Sequence, residues 1–161
     1  MRGLGFILCG ALAAFFVPPV AAQAGPEAEA AIAAAQLLRE RLPRGTKLVV
    51  VPDTLGDTAL AQLIGSTLAI PVRTAEEGRS CVGWIPHCTW SPGEGTFAVR
   101  LTPLSMLRDT VTLRVEHWTV TTESKVLGAP SRSLIYSRDR VLAVRETNRW
   151  LIRAITPEFS T

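Results

Sequence analysis

The sequence predicts an α+β domain: a mixed, mainly antiparallel sheet with a C-terminal β-meander, an N-terminal short β-α-β unit and two helices packed on one face. Three observations lead there. Residues 110–155 carry TVTLRVEHWTVTT and then SLIYSRDRVLAVRETNRWLIRAI, β-branched and aromatic runs with short polar interruptions, as successive antiparallel strands require. Upstream, the apolar run TKLVVV is followed by a helical period and a second short strand, the order of a right-handed crossover. Ahead of both lies an Ala-rich helical segment.

Residues 1–24 read as a cleaved secretory signal peptide, leaving 25–161 as a single α+β domain. Arg2 supplies a positive n-region, Leu4 to Val17 an apolar h-region, and Ala22-Gln23-Ala24 an A-x-A cleavage pattern, with Val20-Ala21-Ala22 as the other frame. The apolar run before Pro18 is shorter than the roughly 20 residues a membrane-crossing helix needs, so contact with a membrane is expected only if the signal stays uncleaved. Cys9 leaves with it. The protein is therefore expected to be exported, periplasmic or extracellular.

Without Arg2 the chain carries sixteen basic and fourteen acidic residues, a net charge of +2 that argues against a generic nucleic-acid binder. The balance is uneven. Residues 100–153 hold ten Arg or Lys against five Asp or Glu, residues 25–99 six against eight.

In the first helix Pro26 sits near the first position and Glu27 and Glu29 in the first turn, where the macrodipole favours anions. Arg39 and Arg41 occupy the last turn, with Pro43 and Gly45 beyond it as stops. Ala28, Ile32, Ala35, Leu38 and Leu42 form the expected packing stripe, narrow and made of small residues. Residues 46–51 read as a strand buried on both faces, Asp57 as the cap of a helix with Leu60, Leu63, Ile64 and Leu68 on one face, and residues 70–73 as a short strand at an edge because of Pro71. Residues 97–101 resume as strand and residues 102–105 interrupt it. In 110–122 the apolar parity changes at Glu116-His117, which implies either a bulge or a strand whose ends bury different faces. The last hairpin is expected across Glu146-Thr147-Asn148-Arg149, with Arg145 opposite Trp150; Val141, Ala143, Trp150 and Ile152 share one face, Leu142, Val144, Leu151 and Ile155 the other.

Cys81 and Cys88 are the two cysteines left after export, and their spacing reads most simply as a disulfide closing a small loop, worth about 2 to 3 kcal/mol. A metal site on Cys81, His87 and Cys88 would lack a fourth ligand, so neither metal nor cofactor is expected. His87 and His117, with Asp53 or Asp57 at the carboxyl end of the buried strand, could serve a small hydrolase or a metal-assisted enzyme. Turn formation, capping and a satisfied strand histidine explain the same residues more simply, and no nucleophile-elbow, zincin, P-loop or dinucleotide pattern occurs. Arg114, Arg138, Arg140, Arg145, Arg149 and Arg153, with Trp118 and Trp150, could make a basic aromatic surface for an anionic or polysaccharide partner; the plainer alternative is a sheet edge protected by charge.

The order of signal, helix, β-α-β, paired cysteines and a meander ending in RETNRWLIR (Arg145 to Arg153) resembles uncharacterised exported bacterial α+β proteins of modest size. Its strand, polar turn, Arg-Trp and apolar strand also recur in NTF2-like sheets, from which the β-α-β start departs. The resemblance implies the fold and export and assigns no catalytic residue. The expected function is a non-enzymatic binding domain for an envelope protein or ligand, with Trp84, His87, Trp90, Trp118, Arg145 and Trp150 as its candidate surface.

Overall fold

The structure, a computed structural model, describes residues 24–52, 58–73, 79–81, 88–90, 92–123 and 131–160. Elements follow in the order α1 (Pro26–Arg41), β1 (Lys47–Val50), α2 (Ala59–Leu68), β2 (Arg79–Cys81), β3 (Cys88–Trp90), β4 (Thr96–Leu107), β5 (Thr110–Glu123), β6 (Ser131–Glu146) and β7 (Arg149–Ser160). The class is α+β. Five strands form one mixed sheet in the order β1-β4-β5-β6-β7, parallel only between β1 and β4. β2 and β3 form a separate antiparallel pair.

Both helices cover one face. α1 lies across β4 to β7 and against α2, and its Ala30, Ala31, Ala34 and Ala35 are buried with Val99, Leu113, Val115 and Ala143 beneath them. The expected stripe is widened: Ala35 is buried and Ile32, Leu38 and Leu42 pack on the core as expected, Ala28 is only half-buried, and Ala30, Ala31 and Ala34 join the contact. Alanine allows the helix to approach a sheet already filled by Val and Leu, while the larger Ile32 and Leu38 seal its margins. Pro26, the acidic first turn and the basic last turn stand where the sequence put them.

β1 is buried on both faces as its composition requires, Leu48 and Val50 under the helices and Val49 on the other side with Val51, Ala98 and Trp118. The β-α-β return is reduced to one parallel bridge, Val50 with Val72. Gly65 lets it come so close: a Cβ there would stand 2.5 Å from the Val72 side chain and 2.9 Å from the Ile70 carbonyl. Thr58 precedes α2 and makes no side-chain cap; Asp57, the expected cap, lies outside the described residues.

Three expectations are corrected or narrowed. Residues 102–105 do not end a strand, since β4 runs through them with a register shift between Pro103 and Ser105. β1 pairs only as far as Val99, so at Pro103 the outer side of β4 needs no N–H from the strand. Of the two readings of the parity change in β5, the second holds: the register is continuous at Glu116-His117, without a bulge, and the strand's apolar residues face the helices at one end and the opposite side at the other. In the last hairpin Glu146 pairs with Arg149, which leaves a two-residue turn, Thr147-Asn148, with both φ positive (45° and 65°). Arg145 does stand opposite Trp150, but the register shift at Leu142/Ala143 adds Arg153 to β7 and turns Ile155 onto the helix face.

Candidate functional site

The alternation of β4, β5 and β6 sends one set of side chains away from the helices. On that helix-free face stand Arg100, Arg114, Glu116, Trp118, Tyr136, Arg138 and Arg140, brought into line by the pairings of Glu116 with Arg100 and Arg138, Trp118 with Tyr136, and Arg114 with Arg140. Glu116 is the hub. It accepts hydrogen bonds from the Tyr136 hydroxyl (2.6 Å) and Arg138 Nη2 (3.1 Å), and its second oxygen meets Arg100 Nη1 at 3.4 Å. Arg138 Nε also donates to the Tyr136 hydroxyl, and Arg100 Nε to the Pro52 carbonyl.

Aromatic rings continue the network. The Arg100 guanidinium lies 5.1 Å from the Trp118 ring, Trp118 lies 5.4 Å from Tyr136, and Tyr136 lies 5.9 Å from Phe159. Burial pushes the Glu116 carboxyl up, but the bonds from Tyr136 and Arg138 and the charges of Arg100 and Arg138 outweigh it and hold the group below the ordinary carboxylate value. Burial and the bond to Glu116 push the Tyr136 phenol up.

Arg114 differs from its neighbours. It stands directly across from Arg140, which is paired with Glu158, and its own Nε is buried without a hydrogen-bond partner. Like charges in opposed strand positions repel, and a buried donor left unbonded costs stability. Among the described residues no carboxylate neutralises Arg114.

On the helix face, His117 stacks on Phe97 at 5.0 Å, and its Nδ1, buried and without a hydrogen bond, stands 3.8 Å from Asp139. Burial lowers its pKa, with Asp139 opposing, so the ring is neutral at physiological pH. Ser137 pairs opposite His117, but its hydroxyl donates to Ser160. Below the ordinary histidine value of about 6.5 the unfolded chain takes up a proton that folded His117 resists, so stability falls as pH drops through that value until the folded group titrates. Glu116, depressed, adds a loss at lower pH, as pH falls through its folded value. Thermal melts between pH 8 and 5 should show the first decline, flattened by His117→Gln; an unchanged slope in the variant would remove His117 as its source.

The candidate surface is divided. Trp84 and His87 lie outside the described residues, as do Asp53 and Asp57; Trp90 ends β3. Trp118 is on the helix-free face, but Trp150 is on the other, where its indole N–H donates to Glu29 of α1 at 2.9 Å and the ring packs on the core. Arg145 is exposed beside Trp150 and lines a cleft with Glu29 and Arg149. Trp118 and Trp150 therefore do not form one surface. Of the predicted arginines, Arg114, Arg138 and Arg140 share the helix-free face, and Arg153 pairs with Glu146.

Arg100, Glu116, Tyr136 and Phe159 are site residues the composition did not single out. The only tyrosine of the chain was a usable signal, since a hydroxyl-bearing ring in a half-buried strand needs a polar partner. Among the described residues no three His, Cys, Asp or Glu side chains group to hold a metal ion, and no helix is long and apolar enough to cross a membrane. No protein-family model, curated protein or solved structure matches the chain.

Proposed function

We propose that the protein is an exported, non-enzymatic binding domain, periplasmic or extracellular, that engages an anionic component of the cell envelope through its helix-free face. The observation that carries this reading is Arg114, set against Arg140 and paired with no carboxylate among the described residues, a like-charge opposition that an incoming anion would relieve. Further along the same face, beyond Glu116, Trp118 packs on Tyr136, and the Glu116 network holds Tyr136 and Arg138 in fixed orientation. Export rests on the order of residues 1–24.

A Cys81–Cys88 disulfide belongs to the same reading. The two residues are direct partners in the β2–β3 ladder, and opposed antiparallel positions have Cα atoms roughly 4.5 to 5.5 Å apart, within the span a disulfide bridges. Intact mass with and without reductant tests the bond and the signal cleavage together. The enzymatic alternative on His117 has the neighbouring Asp139 in its favour, and against it a serine hydroxyl committed to Ser160.

Binding is tested on an acidic polysaccharide column with a salt gradient. Wild type should be retained, and Arg114→Gln and Trp118→Ala should elute earlier with unchanged far-ultraviolet circular dichroism. Equal retention of all three, or none by the wild type, would contradict an anion-reading face.

A further inference from the structure

A second basic feature lies away from the helix-free face, at the end of the molecule where α1 and α2 both finish and β1 begins. A cleft of about 560 Å³ there is lined by Arg39, Arg44, Lys47 and Arg73, with no Asp or Glu among its lining residues. We propose that this cleft is a binding site for a phosphate group, inorganic phosphate or a phosphomonoester.

Helix ends account for only part of the charge. The carbonyl termini of two helices contribute about −0.5 each, against four cationic side chains, which leaves about +3 in the cleft. Arg39 Nη1 donates to the Leu68 carbonyl at the end of α2 (2.8 Å), and Arg73 Nη1 donates to the Pro92 carbonyl (3.3 Å). Both guanidiniums are thus fixed by carbonyls, which orient them without cancelling their charge, and each keeps further N–H groups to offer. Among the described residues no carboxylate pairs with any of the four cations. Arg44 and Lys47 are exposed at the mouth, flanking the Gly45 turn.

Oriented guanidiniums supply planar donor forks and Lys47 a point charge, the combination that suits a compact anion with several oxygens. A single carboxylate would leave most of the charge unmatched. The shared chemistry is a phosphate with at least two ionisable oxygens, and its source is either a soluble ligand or a lipid headgroup.

The full-length chain is titrated with inorganic phosphate and with glycerol phosphate, followed by ³¹P NMR line broadening, and is sedimented with phosphatidic acid vesicles, with phosphatidylcholine vesicles as control. Saturable binding is expected, weakened about tenfold or more by Arg44→Gln with Lys47→Gln, two exposed positions whose loss leaves the core intact. Binding to the small phosphates alone identifies a soluble source, and additional binding to phosphatidic acid a headgroup. Arg114→Gln should leave phosphate binding unchanged, which separates this site from the helix-free face. No saturable binding to any phosphate probe, binding untouched by the double variant, or binding lost in Arg114→Gln would overturn the proposal.

Discussion

Leu113→Ala is expected to cost about 3 to 4 kcal/mol of folding stability. Leu113 is wholly buried in β5, the central strand of the five, between Pro103 on β4 and Val141 on β6, and belongs to the core that the alanines of α1 close. α1 presents alanines there, which have no length with which to fill a void, so the cavity cannot collapse from the helix side. Domains of this size have total stabilities of roughly 5 to 15 kcal/mol, so the change removes a large share. Urea denaturation of wild type and variant measures it, and a loss below about 1 kcal/mol would mean that α1 does not seat on the sheet as described.

Glu116→Ala should cost about 2 to 3 kcal/mol. Its side chain is 12% exposed and that of Arg100 is 14%, so removing the carboxylate leaves one shielded cation and the Tyr136 hydroxyl without their acceptor. The figure lies below that for a fully buried pair because Arg138 is 39% exposed and its share is screened by solvent. Arg100 would keep its bond to the Pro52 carbonyl and its place on Trp118. A double-mutant cycle with Tyr136→Phe isolates the coupling, expected at about 1 kcal/mol and absent if the two side chains act independently.

The strands were legible because their composition is strong: TKLVVV reads as a strand buried on two sides, and the meander announced itself in β-branched residues. The ends of α1 were legible for the same local reason, through Pro26, the acidic first turn and the basic last turn. What the sequence withheld was register. That Glu116 faces Tyr136, Arg138 and Arg100 depends on pairings across three strands, and a shift of one residue would send each side chain to the other face. Arg153 shows the effect in miniature, since one extra residue moved Ile155 to the helix side of the sheet. Trp118 and Trp150, expected together on one basic aromatic surface, were separated by the thickness of the sheet. His117 was visible as one of two histidines, but its neighbour Asp139 was not, because that contact crosses from β5 to β6.

The central proposal is that Arg114, unlike the Glu116 network on the same face, is placed for a partner and not for stability. Replacing Arg114 by Met keeps much of its stem, removes the like-charge opposition with Arg140 and removes a buried unbonded donor. The measurement is the thermal midpoint of Arg114→Met against wild type, with retention on acidic polysaccharide read in parallel. The expected result is an unchanged or higher midpoint, a gain of up to about 1 kcal/mol, together with lost retention. A clear drop in midpoint, with retention kept, would show that Arg114 holds the fold and that this face reads no anion.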